Sequence, residues 1–255
     1  MKSVDSTMHL THAMGLVASS KIRRAMEAMH RSREYACALE NVVALLSGAA
    51  ECRKSPFLQD RGEDLCLIVI AGDRGLAGGY NANAFRLAST LSPKKVLPIG
   101  KRACERYGGE FLSSERITYR EIYALCEKLC EEYEAGGFQR LGILHTKYHS
   151  MLSQEAVFTP ILPITPKAPQ GKADVLFEPD APSLLRAAIA DYVAGAVFAA
   201  IRESFACEVA ARRTAMDSAG KNAQEMLGAL QLQYNRARQG AITQEITEIV
   251  AGSGN

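Results

Sequence analysis

The chain has no tryptophan, and its nine prolines are confined to the segment from Pro56 to Pro182. Proline is the strongest helix breaker, so its absence from both ends leaves residues 1–55 and 183–255 free to form long continuous helices. The prolines in the middle are typical of turns and loops. We therefore predict two helical arms, residues 1–55 and 183–255, on either side of a globular domain formed by residues 56–182.

The seven cysteines form no C-x-x-C pair. Cys126 and Cys130 lie four residues apart on a predicted helix, but no histidine or second cysteine pair nearby completes a tetrahedral metal site. We expect reduced thiols of a cytosolic protein. The net charge of +2 argues against a general nucleic-acid binder. The apolar stretches look too short and too interrupted to span a bilayer, which predicts membrane association only through partners.

Motifs of catalysis are also missing. No G-x-S-x-G nucleophile motif occurs, and the glycine-rich segment 72–79 lacks both the G-x-G-x-x-G spacing and the G-K-[ST] of a P-loop. We interpret that segment as a tight turn with positive φ at some glycines. His9 and His12 are expected to be exposed helix residues. The residues therefore predict no catalytic site, no metal site and no cofactor.

The helical arms carry residues spaced alternately three and four apart, the pattern of a coiled-coil seam. In the C-terminal arm these are Met216, Ala219, Ala223, Met226, Leu230, Gln233 and Ala237. In the N-terminal arm they are Met14, Ala18, Lys21, Ala25, Ala28, Ser32, Tyr35, Leu39, Val42 and Leu46. Two such arms separated by a compact domain can pair antiparallel. The longer arm would reach on the order of 100 Å.

The middle segment alternates strand and helix signals. We predict strands at residues 65–71, 95–100, 138–146, 156–162 and 174–178, and helices at 81–91, 101–107 and 120–135. This alternation indicates a mainly parallel, Rossmann-like α/β sheet. The proline-rich residues 160–169 are expected to form an exit loop, and Ser183 is a plausible N-cap for the last helix.

Four segments resemble one known family in the same order along the chain. The C-terminal QLQYNRARQGAITQEITEIV closely resembles the signature of the gamma subunit of F-type ATP synthases. The first helix, KSVDSTMHLTHAMGLVASSKIRR, the turn AGDRGLAGGYNAN and the short motif LFEPD are similar to segments of the same family. The resemblance covers essentially the whole chain. It implies an α/β fold class, with a long antiparallel coiled coil of N- and C-terminal helices and an inserted Rossmann-like domain.

The resemblance implies a mechanical role without catalysis, in the central-stalk rotor. Its expected partners are the alpha and beta subunits of the catalytic hexamer, the epsilon subunit and the membrane-embedded c-subunit ring, on the cytoplasmic side of a bacterial inner membrane. Residues at family positions associated with contacts to alpha and beta are Met14, Arg212, Gln239, Ile242, Thr243, Glu245, Ile246 and Ile249. Those matching the foot against the ring and epsilon are Phe177, Glu178 and Pro179.

Two other classes of protein remain open from the residues. One is a nucleotide-binding α/β enzyme with dimerising helical arms, and the other is a stand-alone coiled-coil scaffold. The chain also departs from the family pattern. It begins several residues later, has His9 and His12 where lysines are usual, and ends in AGSGN instead of a small apolar tail. This end predicts a looser fit of the shaft tip in its bearing.

Overall fold

The computed structural model describes residues 2–165 and 176–252. Two long helices, α1 (Lys2–Ser47) and α5 (Ala181–Gly252), flank a small α/β domain. A short 3-10 helix at Ala50–Lys54 follows α1. The domain contains β1 (Leu65–Ile70), α2 (Tyr80–Ala88), β2 (Lys95–Ile99), α3 (Lys101–Tyr107), α4 (Tyr119–Glu134), β3 (Arg140–Tyr148) and β4 (Gln154–Leu162). The predicted fold class is confirmed.

The four strands form one sheet in the order β2-β1-β3-β4. The first three strands are parallel, and β4 pairs antiparallel with β3. Side chains alternate between the two faces of a strand, so alternate residues of β1 lie in two separate apolar layers. Leu67 and Val69 pack with α2 and α3, whereas Ile68 and Ile70 pack with α4 and the lower half of α5. The sheet is therefore covered on both faces.

The two long helices run antiparallel, with small residues at their contacts. A Cβ on Gly15 would lie 3.7 Å from the Cβ of Met216, and a Cβ on Gly220 would lie 3.7 Å from Oγ1 of Thr11. Ala18, Ala25 and Ala223 are buried along the same seam. The predicted antiparallel pairing of the two arms is thus confirmed.

The predicted seam of α1 is wrong in detail. Val42 and Tyr35 are 48% and 45% exposed, whereas Val43 and Met29 are buried. This part of α1 is apolar at almost every position, with Val42, Val43, Leu45 and Leu46 close together. Spacing alone therefore does not determine that Val43 and Leu46 are the buried residues. Packing against α5 and the domain makes that selection.

Several predicted boundaries also differ from the structure. Pro160 lies inside β4, where it was expected to open an exit loop, and residues 166–169 of that loop lie outside the described residues. Residues 176–178 are not in a strand, and residues 174 and 175 also lie outside the described part. Helix α5 begins at Ala181, before Ser183. The carboxylate of Asp180 accepts the backbone N–H of Ser183 across 2.8 Å, so Asp180 takes the capping role that we predicted for Ser183.

By length and composition alone, α5 contains a window apolar enough to cross a bilayer. This differs from the expectation that no stretch would qualify. The apolar residues of its lower half, among them Leu185, Ile189 and Val193, are buried against the α/β domain. A buried core helix passes the same compositional test, and 44% of this window is buried inside the protein.

Candidate partner-binding site

Two of the predicted partner-contact residues, Met14 and Arg212, line one groove of about 480 Å³. The groove lies between the first part of α1, the turn after β1 and the middle of α5. Leu76, at the tip of that turn, is 62% exposed, and Val17 of α1 is 53% exposed. The groove therefore combines an open apolar rim with charged groups below it.

A buried ion pair lies beneath the groove. Nη2 of Arg212 donates to Oε1 of Glu208, one helical turn earlier in α5, and also to the carbonyl oxygen of Gly75 across 3.2 Å. The side chain of Arg212 is 12% exposed and that of Glu208 is 3% exposed. Burial raises the pKa of the Glu208 carboxyl, although hydrogen bonds from Arg212 and from the Arg74 backbone N–H act in the opposite direction. Arg212 thus holds the turn inside its own chain.

Asp73 fixes the other side of the same turn. Its carboxylate accepts hydrogen bonds from the Ser113 hydroxyl and from the backbone N–H groups of Lys101, Ser114 and Glu115. Burial would raise the pKa of Asp73, but these donors lower it below its usual value. Gly78 has a φ of +56°, as predicted for some glycine in this turn. The geometry agrees with the interpretation of the segment as a structural turn.

The upper end of α5 projects beyond α1. Residues 231–249 are all exposed, over a length of roughly 30 Å. Ile242, Ile246 and Ile249 are 46%, 56% and 70% exposed. At 100° per residue they form one stripe, with Gln239 and Thr243 on one side of it and Glu245 on the other. All six predicted contact residues of this segment therefore share a free surface.

The predicted foot residues lie at the opposite end of α5. Phe177 is half-buried against the main apolar core, and Glu178 and Pro179 are exposed just before the helix begins. The structure thus separates the foot from the stripe at the tip by on the order of 100 Å of helix. Contacts made at these two ends would belong to different partners.

Sequence reasoning missed Glu208. A usable signal was present, because Glu208 is a lone acid in the run Phe205–Ala211 and lies four residues before Arg212. The same reasoning did not foresee that Arg212 bonds within the chain, since Gly75 lies 137 residues away. The predicted contact of Arg212 with another subunit stays a prediction.

The fold and these surfaces define a class of protein: a two-helix shaft fixed to a small α/β domain, with exposed surfaces at both ends. A family model described as ATP synthase matches residues 1–254. ATP synthase gamma chains from Desulforamulus reducens and Ruminococcus albus are 35% and 37% identical, covering 99% and 100% of this chain and 95% and 96% of theirs. The chain belongs to the ATP synthase gamma-chain family.

Solved structures show the same fold. The central stalk and c-ring structure of Tetrahymena thermophila mitochondrial ATP synthase includes a chain with a TM-score of 0.64 and 18% identity, covering 82% of this chain and 99% of that one. A chain of the Euglena gracilis mitochondrial enzyme has a TM-score of 0.53 and 17% identity, covering 98% and 93%. The family assignment makes this chain the gamma subunit of an ATP synthase complex.

Proposed function

We propose that this chain is the non-catalytic rotor shaft that couples ion flow through a membrane-embedded c-subunit ring to ATP synthesis or hydrolysis. Its projecting helix enters a hexamer of alternating alpha and beta subunits. Its α/β domain rests on the ring together with an epsilon subunit. The complex lies at the cytoplasmic face of a bacterial inner membrane, to which this chain attaches peripherally.

The observation that carries the proposal is the exposed stripe of Ile242, Ile246 and Ile249 near the end of α5. A single helix with a stripe of exposed isoleucines leaves apolar surface in water, and such surfaces usually mark an interface. The stripe is narrow and flanked by polar residues, as suits a shaft surrounded by a protein sleeve.

The shaft acts by its asymmetry. Chemically identical beta subunits meet different faces of a single helix pair, so each orientation of the shaft favours a different set of open and closed nucleotide sites. Rotation then changes which site binds tightly. The chain itself needs no catalytic residue for this, because it acts through the relative stability of conformations in its partners.

The proposed contacts divide by position. At the tip, Ile242, Ile246 and Ile249 form the apolar bearing surface, and Gln239, Thr243 and Glu245 supply polar contacts at its sides. Lower on the shaft, Met14 and the groove beside it face the catalytic subunits. At the far end, Phe177, Glu178 and Pro179 belong to the foot. Charged hydrogen bonds in a desolvated sleeve are stronger than the same bonds at a surface, which suits the coupling role proposed for Glu245.

Co-expression with the alpha and beta subunits of the same organism tests this function. We expect a purified complex containing one copy of this chain with three alpha and three beta subunits, and ATP hydrolysis that depends on the chain. The double substitution Gln239→Ala with Glu245→Ala should lower coupled synthesis in the complete enzyme. Folded partners that exclude the chain would overturn the proposed function, and unchanged synthesis in the double variant would remove the polar contacts from it.

A further inference from the structure

The contact between α5 and the turn after β1 is built around a buried carboxylate that the proposed partner contacts do not use. Glu208 is 2% exposed. It accepts a hydrogen bond from Arg212 and another from the backbone N–H of Arg74. A Cβ on Gly72 would lie 2.7 Å from the carboxyl carbon of Glu208, so the turn approaches the helix as closely as a glycine permits.

Simple packing does not explain this arrangement, because burying two charges costs more free energy than burying apolar side chains. A buried ion pair loses the hydration of both charges, and apolar residues of similar volume often stabilise a fold as well or better. Burial also raises the pKa of Glu208. The raised pKa of Glu208 contributes fully to stability at pH values below the pKa of this carboxyl in the unfolded chain. That contribution is lost as the pH rises from the unfolded pKa through the folded pKa. Unlike an apolar contact, the ion pair permits only one orientation of α5 relative to the turn after β1.

The orientation concerns rotation about the axis of α5. Glu208 and Arg212 lie four residues apart, on one face of α5. A small rotation of the helix about its axis therefore moves both side chains away from their partners in the turn. The bonds to Gly75 and Arg74 are directional, whereas apolar contacts tolerate sliding. The contact of Glu208 and Arg212 with the turn lies at the middle of α5. Before it, α5 packs against the α/β domain; after it, α5 pairs with α1, and Gly78 of the turn still approaches Ala215. Torque applied to the domain crosses this point on its way to the tip.

We infer that Glu208 and Arg212, with the backbone of residues 72–75, form the torsional joint that locks the shaft to the α/β domain. Glu208 is thus a positioning residue for coupling, and it acts through Arg212 and the turn without touching a nucleotide site. The same joint sets the position of Leu76 and of the groove lined by Met14. This inference rests on the proposed function as a rotor shaft.

The test uses the complete enzyme reconstituted in lipid vesicles. ATP-driven accumulation of the coupling ion, measured for both protons and sodium, is divided by ATP hydrolysis in the same vesicles. We expect Glu208→Gln to lower this ratio by about threefold or more, while hydrolysis per assembled complex stays within about twofold of the parent enzyme. A role confined to folding would reduce the amount of complex and leave the ratio unchanged.

The chain offers a matched control. Arg213 and Asp217 form an i,i+4 pair on the same helix, but their side chains are 42% and 61% exposed. Asp217→Asn removes one charge of that pair and should leave the ratio unchanged. An equal fall in both single variants would contradict the joint, because it would reflect a general change in charge on α5.

A second variant separates torsional locking from stability. Glu208→Leu with Arg212→Met replaces the pair by apolar side chains, and we expect it to assemble with an unfolding temperature close to that of the parent. Its ratio of ions moved to ATP hydrolysed should fall at least as far as that of Glu208→Gln. A parent-like ratio in either variant overturns the joint while leaving the rotor function intact. A parent chain that does not assemble overturns the proposed function and the joint with it.

Discussion

Arg33 of α1 donates from Nη2 to Oε1 of Glu203 of α5 across 2.6 Å. The same carboxylate oxygen accepts the backbone N–H of Tyr148 at the end of β3 across 3.0 Å. One side chain of α5 therefore joins both long helices to the sheet. The side chain of Glu203 is 12% exposed, so these partners replace most of the water around its carboxylate.

Replacing the arginine should weaken this junction. We expect Arg33→Met to lower the free energy of unfolding by about 1–2 kcal/mol, because a largely buried carboxylate loses its charged donor while the half-exposed arginine is partly screened by water. Urea unfolding of the full chain measures the change. The control is Arg23→Met, whose side chain is 82% exposed and lies 3.7 Å from Glu27. Equal losses in the two variants would show that the Arg33–Glu203 pair contributes no more than a surface pair.

Gly100 is a position where a side chain cannot be accommodated. Its φ is +92°, and a Cβ there would lie 1.9 Å from the carbonyl oxygen of Ala71. We expect Gly100→Ala to cost more than about 3 kcal/mol, from backbone strain and displacement of the strand end together. Gly108 is the matched control, since its φ is +78° and no atom lies within 4 Å of the added Cβ.

The comparison of the two glycines isolates the clash. Gly108 has φ +78° and ψ −174°, a region almost restricted to glycine, so Gly108→Ala should cost only this backbone strain, about 1–3 kcal/mol. Both values come from urea unfolding of the full chain. If the two substitutions cost the same, the close approach of Gly100 to Ala71 adds nothing to the cost of a side chain at Gly100.

Much of the architecture could be predicted from the sequence because local rules decide it. Proline-free ends and three-four spacing predict the arms, and the alternating apolar runs predict β1, β2 and β3 with small errors at their ends. The choice between Val42 and Val43 could not be predicted, because both are apolar and only packing in three dimensions separates them. The strand predicted at residues 174–178 is wrong in its described part, because residues 176–178 pair with no strand of the described sheet.

The candidate site divides in the same way. The exposed stripe of Ile242, Ile246 and Ile249 follows from helical spacing once the helix is known to be free there. The pairing of Arg212 with Glu208 is local and could have been predicted from their spacing. The bond from Arg212 to Gly75 could not, since it joins parts of the chain that meet only in the fold. From the sequence, Arg212 is predicted to contact a partner at the surface. In the structure its side chain is largely buried and bonds to the turn of its own chain.

His145 predicts a measurable dependence of stability on pH. It is 8% exposed on β3; Nε2 lies 3.0 Å from the Thr159 hydroxyl, and Nδ1 has no hydrogen-bond partner in the described part of the chain. Burial lowers the pKa of His145, and Lys147 and Arg33 act in the same direction, whereas Glu203 opposes them.

Because the pKa of His145 is lowered in the folded chain, protonation favours the unfolded chain. The unfolded chain takes up a proton near pH 6.5 while the folded one does not, so the contribution of His145 is fully present above that pH and is lost as the pH falls towards the folded pKa. We expect the parent to lose up to about 1.0 kcal/mol more than His145→Gln between pH 6.5 and 5.5. Urea unfolding at both pH values measures it, with His149→Gln as the control on a half-exposed histidine. Parallel pH profiles of parent and His145→Gln would contradict the prediction.

The projecting end of α5 allows stability and assembly to be separated in one experiment. Ile246 is 56% exposed, so Ile246→Asp should change the free energy of unfolding of the full chain by no more than about 0.5 kcal/mol. Within a catalytic hexamer the new carboxylate would lie in the apolar stripe and lose its hydration, which should weaken assembly and lower hydrolysis. Thr247→Asp adds the same charge about 100° away on the polar side of the helix, and we expect a smaller effect from it. If both variants assemble and hydrolyse ATP like the parent, the stripe does not act as a bearing, and the exposed isoleucines need another explanation.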